Sequence, residues 1–110
     1  MSMRKVLVAG ATGYLGRHLV RELKKRGYWV RALARNPEKA ADLREEIDDL
    51  RIAEVTIPET LEGICDGMDY VMSAVGITRQ RDGLSYMDVD CKGNAHLLDR
   101  ALESGVRRFL

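Results

Sequence analysis

The sequence has almost no excess charge of either sign: 18 Lys and Arg stand against 17 Asp and Glu, a formal net charge of +1. A nucleic-acid arm or a polybasic membrane surface needs cations gathered in one place, so this balance speaks against both. Cysteine is scarce. Cys65 and Cys91 are too few for a disulfide framework, and their spacing suits no metal site. No apolar run approaches the roughly 20 residues of a membrane span. Met1-Ser2-Met3-Arg4-Lys5 leads into a short strand-like run that glycine interrupts too soon for a signal h-region. The expected compartment is therefore cytoplasmic. What is present is an ordinary globular composition, 45% apolar and 32% charged in 110 residues. One domain fits in that length, and its folding buries roughly 60–70% of the unfolded surface.

Strand-like and helix-like segments alternate along the chain. Val6-Leu7-Val8-Ala9 is a continuous apolar run ended by glycine, the pattern of a strand buried on both faces. From Tyr14 to Arg26 the residues Leu15, Leu19 and Leu23 recur every fourth position with Val20 beside them, and Gly27 is placed as a C-cap. Tyr28 to Ala34 reads as a second strand, and Asn36-Pro37 as the start of a helix through about Leu43. Ile52 to Val55 reads as strand three, Pro58 to Cys65 as a short helix, and Met68 to Val75 as strand four. A polar loop from Ile77 to Gly83 leads to a helix over Tyr86 to Glu103, and Val106 starts strand five, inside which the chain ends. Alternation at this spacing predicts parallel pairing through right-handed crossovers. The expected fold is α/β, a Rossmann-type doubly wound parallel sheet of five strands in the order 3-2-1-4-5. Residues 1–110 are expected to be a NAD(P)-binding domain, the N-terminal part of a longer protein.

Gly10-Ala11-Thr12-Gly13-Tyr14-Leu15-Gly16 lies where strand one turns into helix one, the context that gives a glycine-rich motif its meaning. Gly10 permits a tight turn, Gly13 lets backbone approach a pyrophosphate, and Gly16 lets the helix lie close. Free N–H groups and the positive helix end then face the anion. The ATP-type loop is excluded, since no GxxxxGK[ST] spacing exists and Gly16 is followed by Arg17-His18. Glycines also occur at such turns without a ligand.

This motif resembles the start of atypical or extended short-chain dehydrogenase/reductases, especially their NmrA-like, NAD(P)H-binding branch. The resemblance continues through Arg31 to Ala40, Ser73 to Thr78, Asp88 to Asn94 and Gly105 to Phe109, nearly the whole chain. It implies further contacts by position. Glu54-Val55 fills the places of an acidic and a small apolar residue beside adenine, with Glu where Asp is more usual. Ala74-Val75-Gly76 matches the loop that passes the nicotinamide ribose. Strand-end solvation is the competing account of Glu54.

Cofactor choice rests on Arg35, 19 positions beyond Gly16 and close to the roughly 20 at which such folds read the ribose. A carboxylate there favours the free 2′-hydroxyl of NAD, whereas a guanidinium forks onto the 2′-phosphate of NADP. NADP is thus expected, with NAD as the alternative and a solvated strand-end arginine as the competing account. Asn36 can add a hydrogen bond. Arg31 is a poorer candidate because it lies inside strand two.

The family's Tyr-x-x-x-Lys pair, in which lysine lowers the tyrosine pKa for proton transfer, is missing from these 110 residues. The residues four beyond Tyr14, Tyr28, Tyr70 and Tyr86 are His18, Ala32, Ala74 and Asp90. His18 and His96 read as helix-surface or core-edge residues, and the cysteines as packing residues without a neighbouring base. Asn94 either accompanies Gly93 in close helix packing or braces the active-site backbone. The resemblance implies the NADP-binding part of a reductase acting on a small organic substrate. Its alternative is a non-catalytic NADP-binding sensor or assembly subunit whose partner is a protein. A SAM-dependent methyltransferase is disfavoured, because its second strand normally ends in an acid.

Overall fold

The computed structural model describes residues 4–74, 93–105 and 108–109. Strand β1 (Lys5–Ala9) is followed by helix α1 (Tyr14–Lys25), β2 (Trp29–Ala34), β3 (Asp49–Ile52), β4 (Tyr70–Ser73), α2 (Gly93–Ser104) and β5 (Arg108–Phe109). Every ladder is parallel. The sheet order is β3-β2-β1-β4-β5, with β5 a two-residue addition beside β4. The chain thus leaves β1 toward β2 on one side and returns to β4 on the other, and this reversal opens a crevice at the carboxyl ends of β1 and β4.

β1 is central because Val6, Leu7, Val8 and Ala9 are all fully buried, which only a strand covered on both faces requires. Alternate residues serve opposite layers. Val6 and Val8, with Val30 and Ala32 of β2, pack against Val20 and Leu23 of α1 and against Leu43. Leu7 and Ala9, with Leu33 and Val71, pack against Leu61, Ile64, Cys65 and the α2 residues Leu97 and Ala101. Helices on both faces make the sheet doubly wound, as the alternation predicts.

The buried line of α1 is Gly16, Val20 and Leu23, not the expected Leu15-Leu19-Leu23 stripe. Gly16 must face the turn it packs on, which rotates Leu15 outward to 40% exposure. At the other end Gly27 has φ +88°, and Gly27 N–H and Tyr28 N–H donate to the carbonyls of Lys24 and Leu23. This closes the helix as a glycine C-cap does.

Three expected elements differ. The helix after Asn36-Pro37 is instead a series of turns followed by a 3-10 helix over Ala41–Glu46. Asn36 Oδ1 accepts the Glu38 N–H at 2.9 Å, a local turn that competes with helix, and after Leu43 no apolar residue follows until Ile47. The helix expected over Pro58–Cys65 reduces to a 3-10 helix at Pro58–Leu61 followed by turns. Strand three lies three residues earlier than expected, because polar contacts seat its start. Asp48 accepts the Val30 N–H at 2.8 Å, and Asp49 takes Arg31 Nε at 2.7 Å. As an edge strand, β3 tolerates exposed Arg51 and Ile52. The expected loop at 77–83 and the early turns of the helix expected from Tyr86 lie outside the described residues, as does Cys91.

Candidate functional site

β1 hands the chain to α1 through Gly10 at φ +71°, a left-handed backbone that favours glycine. Gly13 N–H donates to the Gly10 carbonyl at 3.2 Å, and Ala11 N–H reaches across to the Leu33 carbonyl at 3.3 Å. Gly13 is extended, with φ −76° and ψ 171°, and starts α1 without any side-chain cap. The first-turn N–H groups of Tyr14, Leu15 and Gly16 therefore have no intrahelical partner, at the positive end of the helix dipole. Gly16 is fixed by space: a Cβ there would stand 2.0 Å from the Gly10 carbonyl oxygen. Tyr14 projects outward and meets His18 edge-on, ring centroids 4.6 Å apart.

The ends of the neighbouring strands bring the other candidates to the same sheet edge. Ala34 ends β2, and Arg35 follows with its side chain 68% exposed. Its guanidinium stands 3.8 Å from Glu54 Oε2, so the arginine expected to read the ribose and the acid expected beside adenine form one loose pair. Glu54 and Val55 lie just past the end of β3. Glu54 N–H donates to Thr60 Oγ1 at 3.0 Å, and Val55 is buried. At the end of β4, Ala74 N–H donates to the Ala9 carbonyl at 2.9 Å, joining the two loops that flank the crevice. Val75 and Gly76 lie outside the described residues.

Three residues that the sequence reading did not assign to the site shape these loops. Arg17 donates from Nε to the Thr12 carbonyl at 2.9 Å and from Nη2 to the Lys39 carbonyl at 2.8 Å, while Nη1 pairs with Asp42. His96 Nδ1 donates to the Val55 carbonyl at 2.7 Å, since a carbonyl can only accept. Arg100, one turn along α2, donates to the Pro58 carbonyl at 3.0 Å. Asn94 accepts the Ser73 hydroxyl, tying the start of α2 to the end of β4. For Arg17 the only sequence signal is its place next to the third glycine. For His96 and Arg100 it is their spacing of four on one helix.

Arg31 is 8% exposed and satisfied by Asp49 and the carbonyls of Ile64 and Asp66, which makes it a structural residue. Burial pushes the Cys65 thiol up to about 11, the Arg31 charge opposing, so it stays protonated and unreactive near neutrality. Among the described residues no cluster of His, Cys, Asp and Glu is placed to hold a metal ion, and no helix is long and apolar enough to cross a membrane. A glycine turn entering an uncapped helix, a helix start held tight against that turn by the missing Cβ of Gly16, and an exposed arginine at the next strand end together fit a dinucleotide.

Comparison with known proteins agrees with that geometry. A family model described as NAD(P)H-binding matches residues 10–110. The Photosystem II assembly factor Ycf39 of Synechocystis sp. is 34% identical over 106 residues, covering 96% of this chain and 32% of that protein. A 3 beta-hydroxysteroid dehydrogenase/Delta 5-->4-isomerase of Mycobacterium tuberculosis is 29% identical over 114 residues, with 96% and 30% covered. The crystal structure of gox2253 matches with a TM-score of 0.82 and 27% identity, over 94% of this chain and 32% of that one. The chain spans about a third of the length of the first curated relatives it matches.

Proposed function

The chain belongs to the NAD(P)H-binding family, and from that premise we propose that it forms the NADP-binding part of an atypical short-chain dehydrogenase/reductase that moves hydride to a small organic substrate. The observation that carries this reading is the convergence of the glycine turn, the uncapped start of α1 and Arg35 at one sheet edge. The N–H groups at the start of α1 hold the pyrophosphate, with Gly10, Ala11, Thr12 and Gly13 giving close backbone approach and Gly16 keeping the helix against the turn. Arg35 forks onto the 2′-phosphate, Asn36 borders it, Glu54 and Val55 border adenine, and Ala74, Val75 and Gly76 border the nicotinamide ribose. When bound, the cofactor supplies the hydride; the residues of this chain bind and orient it.

A charge-assisted contact of about 1.5–3 kcal/mol gives roughly a tenfold to 150-fold preference for NADP. Glu54 opposes it, since its carboxylate shares the arginine. The test is calorimetric titration of the full-length protein with NADPH and NADH. Arg35→Ala is expected to weaken NADPH by roughly tenfold or more and leave NADH nearly unchanged. Equal losses for both would assign Arg35 to adenine stacking, and no loss would return it to solvent.

A second reading is a non-catalytic NADP-binding assembly subunit. It is supported by the relatives named assembly factors, at 34% and 36% identity. Oxidation of NADPH by the full-length protein with a carbonyl substrate supports the reductase; tight NADPH binding without turnover, together with a co-purifying protein partner, supports the subunit.

A further inference from the structure

We propose that Arg17 is a positioning residue that sets the distance between the glycine-rich turn and the loop after β2, so that one dinucleotide is read at its pyrophosphate and at its adenosine ribose together. The proposal rests on the dinucleotide reading of the site. α1 carries Arg17, Arg21 and Lys24 along one face, and they pair in order with Asp42, Glu46 and Asp48 of the segment after β2. The Arg21 and Lys24 pairs stitch helix to segment. Arg17 differs because its Nε also holds the Thr12 carbonyl inside the glycine turn, at 2.9 Å, while Nη2 holds the Lys39 carbonyl at 2.8 Å.

Nε and both terminal nitrogens thus point at acceptors in two loops that are far apart in sequence. The side chain is only 24% exposed, and a planar fork with several acceptors loses its geometry as a unit. Lysine has the charge but not the reach in three directions. Without the fork each loop keeps its own contacts, and what is lost is their spacing. A ligand that spans both loops then loses the advantage of binding at two linked points, whereas a ligand that touches one loop does not.

The experiment compares NADPH with adenosine 2′-monophosphate, which reaches the ends of β2 and β3 but lacks the pyrophosphate held at the start of α1, by calorimetry on the full-length protein. Arg17→Met is expected to weaken NADPH about tenfold while adenosine 2′-monophosphate changes less than about twofold. Arg17→Lys, which retains charge and stem, is expected to show the same split and serves if the Met variant does not fold. Arg21→Met removes the next pair on the same helix face and is expected to leave both affinities unchanged, which separates spacing from a general loosening of α1. Equal losses for both ligands in the Arg17 variants, no loss for either, or an equal effect of Arg21→Met would each overturn the proposal. A wild-type protein that binds adenosine 2′-monophosphate and NADPH with no gain for the larger ligand would overturn it too. If the wild type binds neither, the dinucleotide reading falls, and this proposal with it.

Discussion

At Arg35 and Glu54 two opposite charges meet at the position proposed to set the choice of cofactor. The pair is loose, 3.8 Å apart with the arginine largely exposed, and pairs of this kind contribute about 0.2–1 kcal/mol. On the proposed reading Glu54 nevertheless acts twice against a 2′-phosphate, by engaging the guanidinium and by repelling the incoming anion. Glu54→Gln keeps the shape and removes the charge. It is expected to tighten NADPH by roughly twofold to fivefold with NADH nearly unchanged, and the gain should shrink as salt rises. A loss of affinity for both cofactors in a salt series would instead make Glu54 an adenine ligand. The position of each residue at a strand end was legible in the sequence, Arg35 from its distance past Gly16 and Glu54 from its match to the family pattern. Their pairing was not, because it depends on how far two flexible side chains reach across a strand gap. Arg31 shows the same limit in reverse: its place inside β2 was readable, its three backbone and carboxylate partners were not.

The elements divide by what specifies them. β1, α1 and β2 follow from apolar runs and glycine punctuation, and their bounds fall within a residue or so of the expected ones. The crossovers after β2 and β3 do not, because their backbone is held by partners distant in sequence. Arg17 draws Lys39 and Asp42 toward α1, while His96 and Arg100 hold the carbonyls of Val55 and Pro58 from α2. Two helices thus brace the loops of the site from opposite faces of the sheet, with side chains that sequence periodicity assigns merely to polar surfaces. Gly16 is where element and site coincide. Its missing Cβ lets α1 sit against the Gly10 carbonyl, and Gly16→Ala would place an atom 2.0 Å from that oxygen. Backbone cannot yield as a flexible side chain does, so α1 must shift outward. The expected cost is about 1–3 kcal/mol, read as a lower urea midpoint with an unchanged slope, together with weaker NADPH binding. An unchanged midpoint would mean that the turn relaxes freely and that Gly16 is not needed for packing.

For the whole molecule the edge strand β3 joins the sheet through its ladder with β2 and the packing of Ile47 and Leu50 on one core layer, with polar groups added at its start. Asp48 and Asp49 stand at its entrance. Burial pushes both carboxyls up, but hydrogen bonds outweigh it: from Lys24 and the Val30 N–H onto Asp48, and from Arg51 and Arg31 onto Asp49. Both therefore titrate below their ordinary value of 3.8 in the folded protein. A carboxyl whose folded pKa is depressed binds protons more readily when unfolded, so its stabilising contribution is complete above the unfolded pKa and is lost as pH falls through the folded one. The urea midpoint is then expected to stay nearly level from about pH 7 to 5 and to drop below about pH 4. Asp49→Asn removes one of the two titrations while leaving Arg31 beside an uncharged partner. That variant should start from a lower midpoint at neutral pH and show a shallower acid limb. An acid limb as steep as that of the wild-type protein would mean that the low-pH loss arises from carboxyls elsewhere and that β3 is not attached through this pair.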